Sequence, residues 1–243
     1  MTTILLDIEG TTTPITFVYD ELFPYARREM VRFLQANAQS ERFQKALAQL
    51  REEVAGEVAA GENPPNIPED GELQDMALAA ANFALWQMEK DRKATGLKEL
   101  QGWIWDAGYR AGELRGVVYP DVDDAIRRWA GAGHRVAIYS SGSIEAQKLI
   151  FGFSTAGDLT PFLCAYFDTT TGPKKEAQSY AKIADALGEA PQDVVFFSDN
   201  LDEIRAADAA GMQTRLTIRP GNAPVEAHGF KTVTDFSTQS VGL

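Results

Sequence analysis

The sequence predicts an α/β protein with a doubly wound parallel sheet, a Rossmann-like core, into which a helical domain is inserted. Short apolar runs alternate with helical patterns in the second half of the chain, which indicates parallel strands covered by helices on both faces. One further apolar run lies near the N-terminus. A long stretch that shows only helical spacing separates that run from the others, and this stretch predicts the insertion.

The predicted strands are four apolar runs and one weaker run. The first spans residues 2–6 and ends at Asp7, which suits a short buried strand. The others span 135–139, 193–197 and 213–218, with the weaker run at 165–167. Apolar residues at helical spacing lie between these runs, as at Val122, Ile126 and Trp129. Strand and helix therefore follow one another as in repeated strand–helix–strand units.

The inserted domain is predicted to span residues 16–115. Apolar residues recur there at helical spacing, and a proline-rich loop at 63–68 divides the region. The core domain is then expected to comprise residues 1–15 and 116–243.

Composition narrows the classes of function. The chain has 35 acidic and 23 basic residues and a net charge of −12, whereas a nucleic-acid-binding protein normally shows a basic face. The same charge argues against docking on anionic membranes, and no apolar run is long enough to span a bilayer. A single cysteine, Cys164, excludes an internal disulfide and is expected to be buried. Without a signal peptide, the expected location is the cytoplasm.

Polar residues follow each predicted strand, where ligands bind in doubly wound folds. Asp7-Ile8-Glu9-Gly10-Thr11 follows the first strand, and Ser140-Ser141-Gly142-Ser143 follows the strand at 135–139. Lys174 comes after the weaker strand and its loop, and Asp199 follows the strand at 193–197. Each residue alone has an ordinary interpretation as a helix cap or a solvated side chain. Their arrival in this order at one sheet edge favours a catalytic site instead.

These residue types suit phosphoryl transfer. Asp7 and Asp199 would repel each other at close range unless a hard divalent cation lay between them, and oxygen ligands favour Mg²⁺. Asp7 can then attack phosphorus, and Glu9 can protonate the leaving oxygen and later activate water. Ser140 and the amides after it can hold the phosphoryl oxygens, while Lys174 supplies a positive charge.

The same residues resemble a known family. Asp7-Ile8-Glu9-Gly10-Thr11, Ser140, Lys174 and Asp199 are similar to the four motifs of the haloacid dehalogenase-like hydrolase superfamily. Most members carry Asp where this chain has Glu9. The longer strings at 7–15, 139–143 and 145–149 are similar to one branch, the bifunctional enolase-phosphatases of methionine salvage.

That resemblance implies a role for each matching residue. Asp7 would be the nucleophile and a ligand of one Mg²⁺ per chain, and Asp199 a second ligand. Glu9 would be the acid/base, with its main-chain carbonyl also bound to the metal. The implied substrate contacts are Ser140, Ser141 and Lys174. Glu203 would orient Asp199 or a metal-bound water, whereas Asp202 fits less well and is expected to be solvated or a secondary candidate.

The resemblance also implies the reaction and the domain roles. The branch converts 2,3-diketo-5-methylthiopentyl-1-phosphate, through its enol phosphate, to 1,2-dihydroxy-3-keto-5-methylthiopentene and phosphate. The insert would be a type-1 helical cap on a monomer, and neither nucleic acid nor membrane would be a partner. The sequence does not identify the base for enolisation. Aromatic residues of the insert offer an apolar pocket for the methylthio tail, namely Phe17, Tyr19, Phe23, Phe83 and Trp86.

Three alternatives stay open at this point. A phosphomutase, or another small-metabolite phosphatase of the same superfamily, would use the same residues. A dehalogenase fits less well, because paired Asp7 and Asp199 imply a metal that dehalogenation does not need. A regulatory module that only binds phosphate would gain little from a nucleophile such as Asp7.

Overall fold

The computed structural model describes residues 2–238 and divides into two compact units. One comprises Met1–Asp20 with Arg115–Leu243, and the other comprises Glu21–Leu114. The first unit contains a six-stranded sheet, with β1 at Thr3–Leu6, β2 at Arg135–Tyr139, β3 at Ala165–Phe167, β4 at Val194–Ser198, β5 at Gln213–Thr217 and β6 at Thr232–Val233. Its helices are α5 at Pro120–Gly131, α6 at Ile144–Gly152, α7 at Ala177–Leu187 and α8 at Leu201–Ala209.

All neighbouring strands pair in parallel, in the order β3-β2-β1-β4-β5-β6. β1 therefore lies inside the sheet, with Leu6 opposite Ile138 of β2 and opposite Phe197 of β4. This register brings the residues that follow β1, β2 and β4 to the same edge. The predicted fold class is confirmed.

Apolar side chains fill both faces of the sheet. On one face, Tyr180 packs edge-on against Tyr139 and Phe196, with ring centroids 5.5 Å and 5.0 Å apart. Phe197, the next residue along β4, points to the opposite face and packs against Trp129 and Phe236. Burial on both faces explains why these strands consist of continuous apolar runs.

The second unit consists of four helices, α1 at Phe23–Ala36, α2 at Glu41–Ala59, α3 at Leu73–Glu89 and α4 at Thr95–Ala111. Helix α1 packs on α3 and α4, and α2 packs on the same two helices. Ser40 accepts a hydrogen bond from Phe43 N and so caps α2, while Gly112 ends α4 in the left-handed conformation. No strand occurs in Glu21–Leu114.

Two details differ from expectation. No strand is predicted after residue 218, but Thr232–Val233 adds β6 to the edge of the sheet beside β5. The prediction that Cys164 is buried is wrong, because this cysteine is exposed directly before the short edge strand β3. No helix within residues 2–238 is long and apolar enough to cross a membrane.

Candidate active site

Asp7 lies at the end of β1 and is only 5% exposed. Its Oδ1 accepts hydrogen bonds from Lys174 Nζ at 2.6 Å and from the backbone N–H of Ile8 at 2.7 Å. Its Oδ2 lies 3.1 Å from the hydroxyl of Ser198. These contacts fix the plane of the carboxylate at the edge of the sheet.

The turn after Asp7 requires a glycine. Gly10 has φ +67°, and a Cβ at this position would lie 2.3 Å from Asp199 Oδ2. Any other residue would strain the backbone and collide with that carboxylate. The turn is tied back to β1, since Thr12 Oγ1 donates to the Asp7 carbonyl at 3.0 Å and Glu9 pairs with Thr13 in a short bridge. Gly10 thus allows the loops after β1 and β4 to approach closely.

Lys174 is buried between two carboxylates. Its Nζ lies 2.6 Å from Asp7 Oδ1 and 2.6 Å from Glu203 Oε2, and Tyr180 donates to its backbone carbonyl at 2.7 Å. Burial alone would lower the pKa of Lys174, but the charges of Asp7 and Glu203 outweigh it and hold the pKa above its ordinary value. Lys174 therefore stays protonated at neutral pH.

Asp199 and Glu203 carry raised pKa values. Burial, followed by repulsion from Asp7, raises the pKa of Asp199 to about 7, with a further contribution from Glu9. The same two causes raise the pKa of Glu203 to about 7, although Lys174 acts in the opposite direction. In both cases burial and the charge of Asp7 disfavour the ionised form of the carboxylate.

Ser198 connects two of these carboxylates. Its hydroxyl is fully buried and lies 3.1 Å from Asp7 Oδ2 and 2.9 Å from Glu203 Oε2. One hydroxyl proton can serve only one of these acceptors at a time. Sequence reasoning gave Ser198 no role, although its place directly before Asp199 at a strand end was a usable signal.

The two acidic residues in the first turn of α8, Asp202 and Glu203, lie in different surroundings. Glu203 was expected to orient Asp199 or a metal-bound water, whereas the structure places its carboxylate on Lys174 and Ser198. Asp202 is exposed and pairs with Lys175 at 3.1 Å, as expected for a solvated residue.

The loop after β2 lies beside this group of residues. Ser140 is 4% exposed and its Oγ accepts from the backbone N–H of Gly142 at 3.2 Å, while Ser141 is exposed. Gln147 donates to the Gly142 carbonyl at 2.8 Å and so holds the loop. Ser143 caps α6. An anion can be bound here by hydroxyls and backbone N–H groups at the start of a helix.

The oxygen-rich composition of the site fits Mg²⁺. No group of three or more His, Cys, Asp and Glu side chains within residues 2–238 has metal-binding geometry. The predicted ligand set does not need one, because it combines the carboxylates of Asp7 and Asp199 with the carbonyl of Glu9. Burial and the charge of Asp7 raise the pKa of Asp199, and a cation bound beside the two carboxylates would act in the opposite direction.

The aromatic residues suggested for an apolar pocket differ in accessibility. Phe17 and Phe83 are 2% and 0% exposed, so they belong to the cores of their units and offer no free surface. Phe83 stacks on Trp86 at 5.9 Å, and Phe23 packs near Trp105 at 6.1 Å. Tyr19 is 56% exposed.

A parallel sheet with carboxylates and a buried lysine at one edge agrees with the fold and motifs of a haloacid dehalogenase-like hydrolase. The profile of the haloacid dehalogenase-like hydrolase family matches residues 1–211, and the chain belongs to this family. Phosphatases of the family generally use Mg²⁺.

Two sequence relatives and one solved structure are similar to almost the whole of this chain. Enolase-phosphatase E1 of Synechococcus elongatus is 51% identical over 97% of this chain and 96% of that protein. A probable bifunctional methylthioribulose-1-phosphate dehydratase/enolase-phosphatase E1 of Populus trichocarpa is 48% identical, and this chain spans 46% of its length. The crystal structure of UTR4 protein from Saccharomyces cerevisiae matches with a TM-score of 0.79 and 35% identity, over 98% of this chain and 99% of that one.

Proposed function

We propose that this protein is a magnesium-dependent enolase-phosphatase of methionine salvage. It converts 2,3-diketo-5-methylthiopentyl-1-phosphate, through the enol phosphate, to 1,2-dihydroxy-3-keto-5-methylthiopentene and phosphate. The observation that carries the proposal is the Asp7 carboxylate, held by Lys174 and Ile8 N at the end of β1, in a chain 51% identical to Enolase-phosphatase E1 of Synechococcus elongatus.

In this proposal Asp7 is the nucleophile. A carboxylate oxygen of Asp7 forms a bond to phosphorus while the bond from phosphorus to the enol oxygen breaks. Glu9 donates its proton to that leaving oxygen. Water then attacks the phosphorus of the aspartyl phosphate, Glu9 takes the proton of the water, and phosphate leaves with Asp7 restored. Each turnover therefore consumes one water and returns Glu9 to its starting state.

Six further residues support this chemistry. Lys174 neutralises charge on Asp7 and the phosphoryl group, and Ser140 and Ser141 donate hydrogen bonds to phosphoryl oxygens. Asp199, Asp7 and the Glu9 carbonyl would hold one Mg²⁺, which supplies Lewis-acid stabilisation of negative charge on substrate oxygens. Glu203 and Ser198 keep Lys174 and Asp7 in place.

We also assign the second unit, Glu21–Leu114, the role of a helical cap that contributes to selecting the methylthio tail. The protein is proposed to act as a monomer in the cytoplasm, and its net charge of −12 opposes binding to nucleic acid or anionic membranes. The described residues contain no membrane-spanning helix.

The test is an assay of the purified protein with Mg²⁺ and the diketo phosphate. We expect ultraviolet absorbance of the enol to rise and inorganic phosphate to appear, both of them lost when Mg²⁺ is chelated. A product that retains the phosphoryl group would indicate a phosphomutase instead. Release of phosphate from unrelated phosphomonoesters but not from the diketo phosphate would indicate a general phosphatase. Binding without release would indicate a regulatory module.

The metal-free protein is expected to lose stability as pH rises from about 4 to about 7. In this window the native state holds protons on Asp199 and Glu203, whose pKa values are raised to about 7, while the unfolded state has already released them. Asp199→Asn removes one of the buried charges. This variant should therefore be more stable than wild type in EDTA at pH 8, by about 1–3 kcal/mol, with the difference shrinking toward pH 4.

Chemical denaturation in EDTA across this pH range measures the effect. Mg²⁺ should then stabilise wild type at pH 8 but not Asp199→Asn, because the variant lacks a ligand carboxylate. Asp208→Asn, which changes an exposed carboxylate on the helix α8 that follows Asp199, is the matched control and should behave as wild type. A stability difference between wild type and Asp199→Asn that does not change with pH would contradict the assignment.

A further inference from the structure

The segment that follows β5 holds the turn that follows β1. Thr217 Oγ1 lies 3.0 Å from Thr11 Oγ1, and Arg219 Nε donates to the Thr11 carbonyl at 3.0 Å. Asn222 Nδ2 donates to the carbonyl of Gly10 at 2.9 Å. The carbonyl groups of Gly10 and Thr11 thus take their side-chain donors from residues 217–222, at the end of β5 and just after it.

The side chain of Asn222 has a fixed orientation and one unused acceptor. Because Nδ2 donates to the Gly10 carbonyl, a flipped amide would place two oxygens against each other. The Oδ1 atom is buried and has no hydrogen-bond partner among residues 2–238. A buried acceptor without a donor is destabilising, so a bound donor at this point would offset that cost.

This unused oxygen lies next to a predicted metal ligand. The position that a Cβ of Gly10 would take is 3.0 Å from Asn222 Oδ1 and 2.3 Å from Asp199 Oδ2. Both oxygens therefore lie on the same side of Gly10 and close enough to each other for one bridging water molecule to hydrogen-bond to both. Mg²⁺ in proteins keeps several of its waters, and each of these waters needs acceptors for its protons.

We propose that Asn222 is a positioning residue for the magnesium site. Its Oδ1 accepts a hydrogen bond from a water bound to Mg²⁺, and its Nδ2 fixes the Gly10 carbonyl within the turn that carries Glu9. One amide therefore links the hydration of the metal to the placement of the proposed acid/base. The inference rests on the proposed function, since it takes Asp199 as a magnesium ligand.

The first test measures Mg²⁺ binding by calorimetry without substrate. Asn222→Leu keeps the approximate size of the side chain and removes both the acceptor and the donor. We expect its Mg²⁺ affinity to fall by about 10-fold or more, which is typical when a group that orients a metal's ligands is lost. Gln213→Leu is the matched control, because Gln213 also donates an amide proton to a backbone carbonyl but lies exposed at the opposite end of β5. It should bind Mg²⁺ as wild type does.

The second variant, Asn222→Asp, tests the donor role of the amide separately from its acceptor role. Aspartate keeps an acceptor oxygen and adds negative charge, but it cannot donate to the Gly10 carbonyl. Mg²⁺ affinity should equal or exceed that of wild type, while phosphate release at saturating Mg²⁺ should fall by about 10-fold. Wild-type turnover of Asn222→Asp would refute the donor role, and it does so even where Asn222→Leu fails to fold.

Asp199→Asn distinguishes failure of this inference from failure of the proposed function. If Asp199→Asn loses Mg²⁺ binding while Asn222→Leu binds as tightly as wild type, Asn222 does not act on the metal and the proposed function stands. If wild type itself binds no Mg²⁺, both the magnesium site and the role of Asn222 are wrong.

Discussion

Asp7→Asn is expected to abolish phosphate release, with a loss of about 10³-fold or more, while the protein stays folded. An amide cannot attack phosphorus, so no aspartyl phosphate can form. The fold should survive because the amide oxygen can still accept from Lys174 Nζ and Ile8 N. The amide nitrogen would then face Ser198 Oγ, which can accept its proton. Phosphate release measures the loss of activity, and the thermal unfolding midpoint measures whether the protein stays folded.

A matched control for this variant is Asp202→Asn. Asp202 belongs to the same sheet edge, but it is exposed and paired only on the surface with Lys175 and Arg205. Its substitution should leave turnover unchanged.

Beryllofluoride with Mg²⁺ should bind wild type by mimicking the phosphorylated carboxylate, and Asp7→Asn should fail to bind it. Near-normal turnover of Asp7→Asn, or a fluoride complex bound elsewhere, would refute the nucleophile assignment.

Glu9→Gln is expected to separate the two halves of the reaction. Glutamine keeps the size of the side chain and the main-chain carbonyl, so metal and substrate should still bind. Protonation of the leaving oxygen and activation of water should both fail, which lowers phosphate release by about 10²–10⁴-fold. If enolisation uses a different base, the enol phosphate should form and accumulate, so that ultraviolet absorbance rises while little phosphate appears.

Glu226→Gln is the control for this variant, since the side chain of Glu226 is 90% exposed in the C-terminal segment. Loss of enol formation together with phosphate release, with Mg²⁺ binding retained, would mean that Glu9 serves both steps. Unchanged phosphate release from Glu9→Gln would remove Glu9 from the acid/base role.

The central strands of the sheet were predictable because they are buried on both faces. Continuous apolar runs identified β1, β2 and β4 to within about two residues, and the less apolar β5 and the three-residue β3 were also recognised. The two-residue strand β6 was missed, since Thr232–Val233 is too short to show any period. Its pairing with β5 is a tertiary event that local sequence does not encode.

The candidate site was predictable only where strand ends locate residues. Asp7 and Asp199 follow directly from that rule, whereas the contact of Lys174 with Asp7 depends on the path of a loop after β3. The ion pair between Glu203 and Lys174 depends on the first turn of α8 and on the Ser198 hydroxyl. Asn222 lies in a segment without periodicity, so only the folded geometry relates it to Gly10.

The central place of β1 has a consequence for how the protein folds. Leu6 pairs with Ile138 on one side and with Phe197 on the other, so both partners of this early strand are distant in sequence. During synthesis β1 emerges long before either neighbour, and its apolar residues stay unpaired until β2 and then β4 have been made. The helices of Glu21–Leu114, by contrast, make their contacts within one continuous stretch of chain. Folding is therefore expected to begin within Glu21–Leu114, with Asp7 among the last residues to reach its native surroundings.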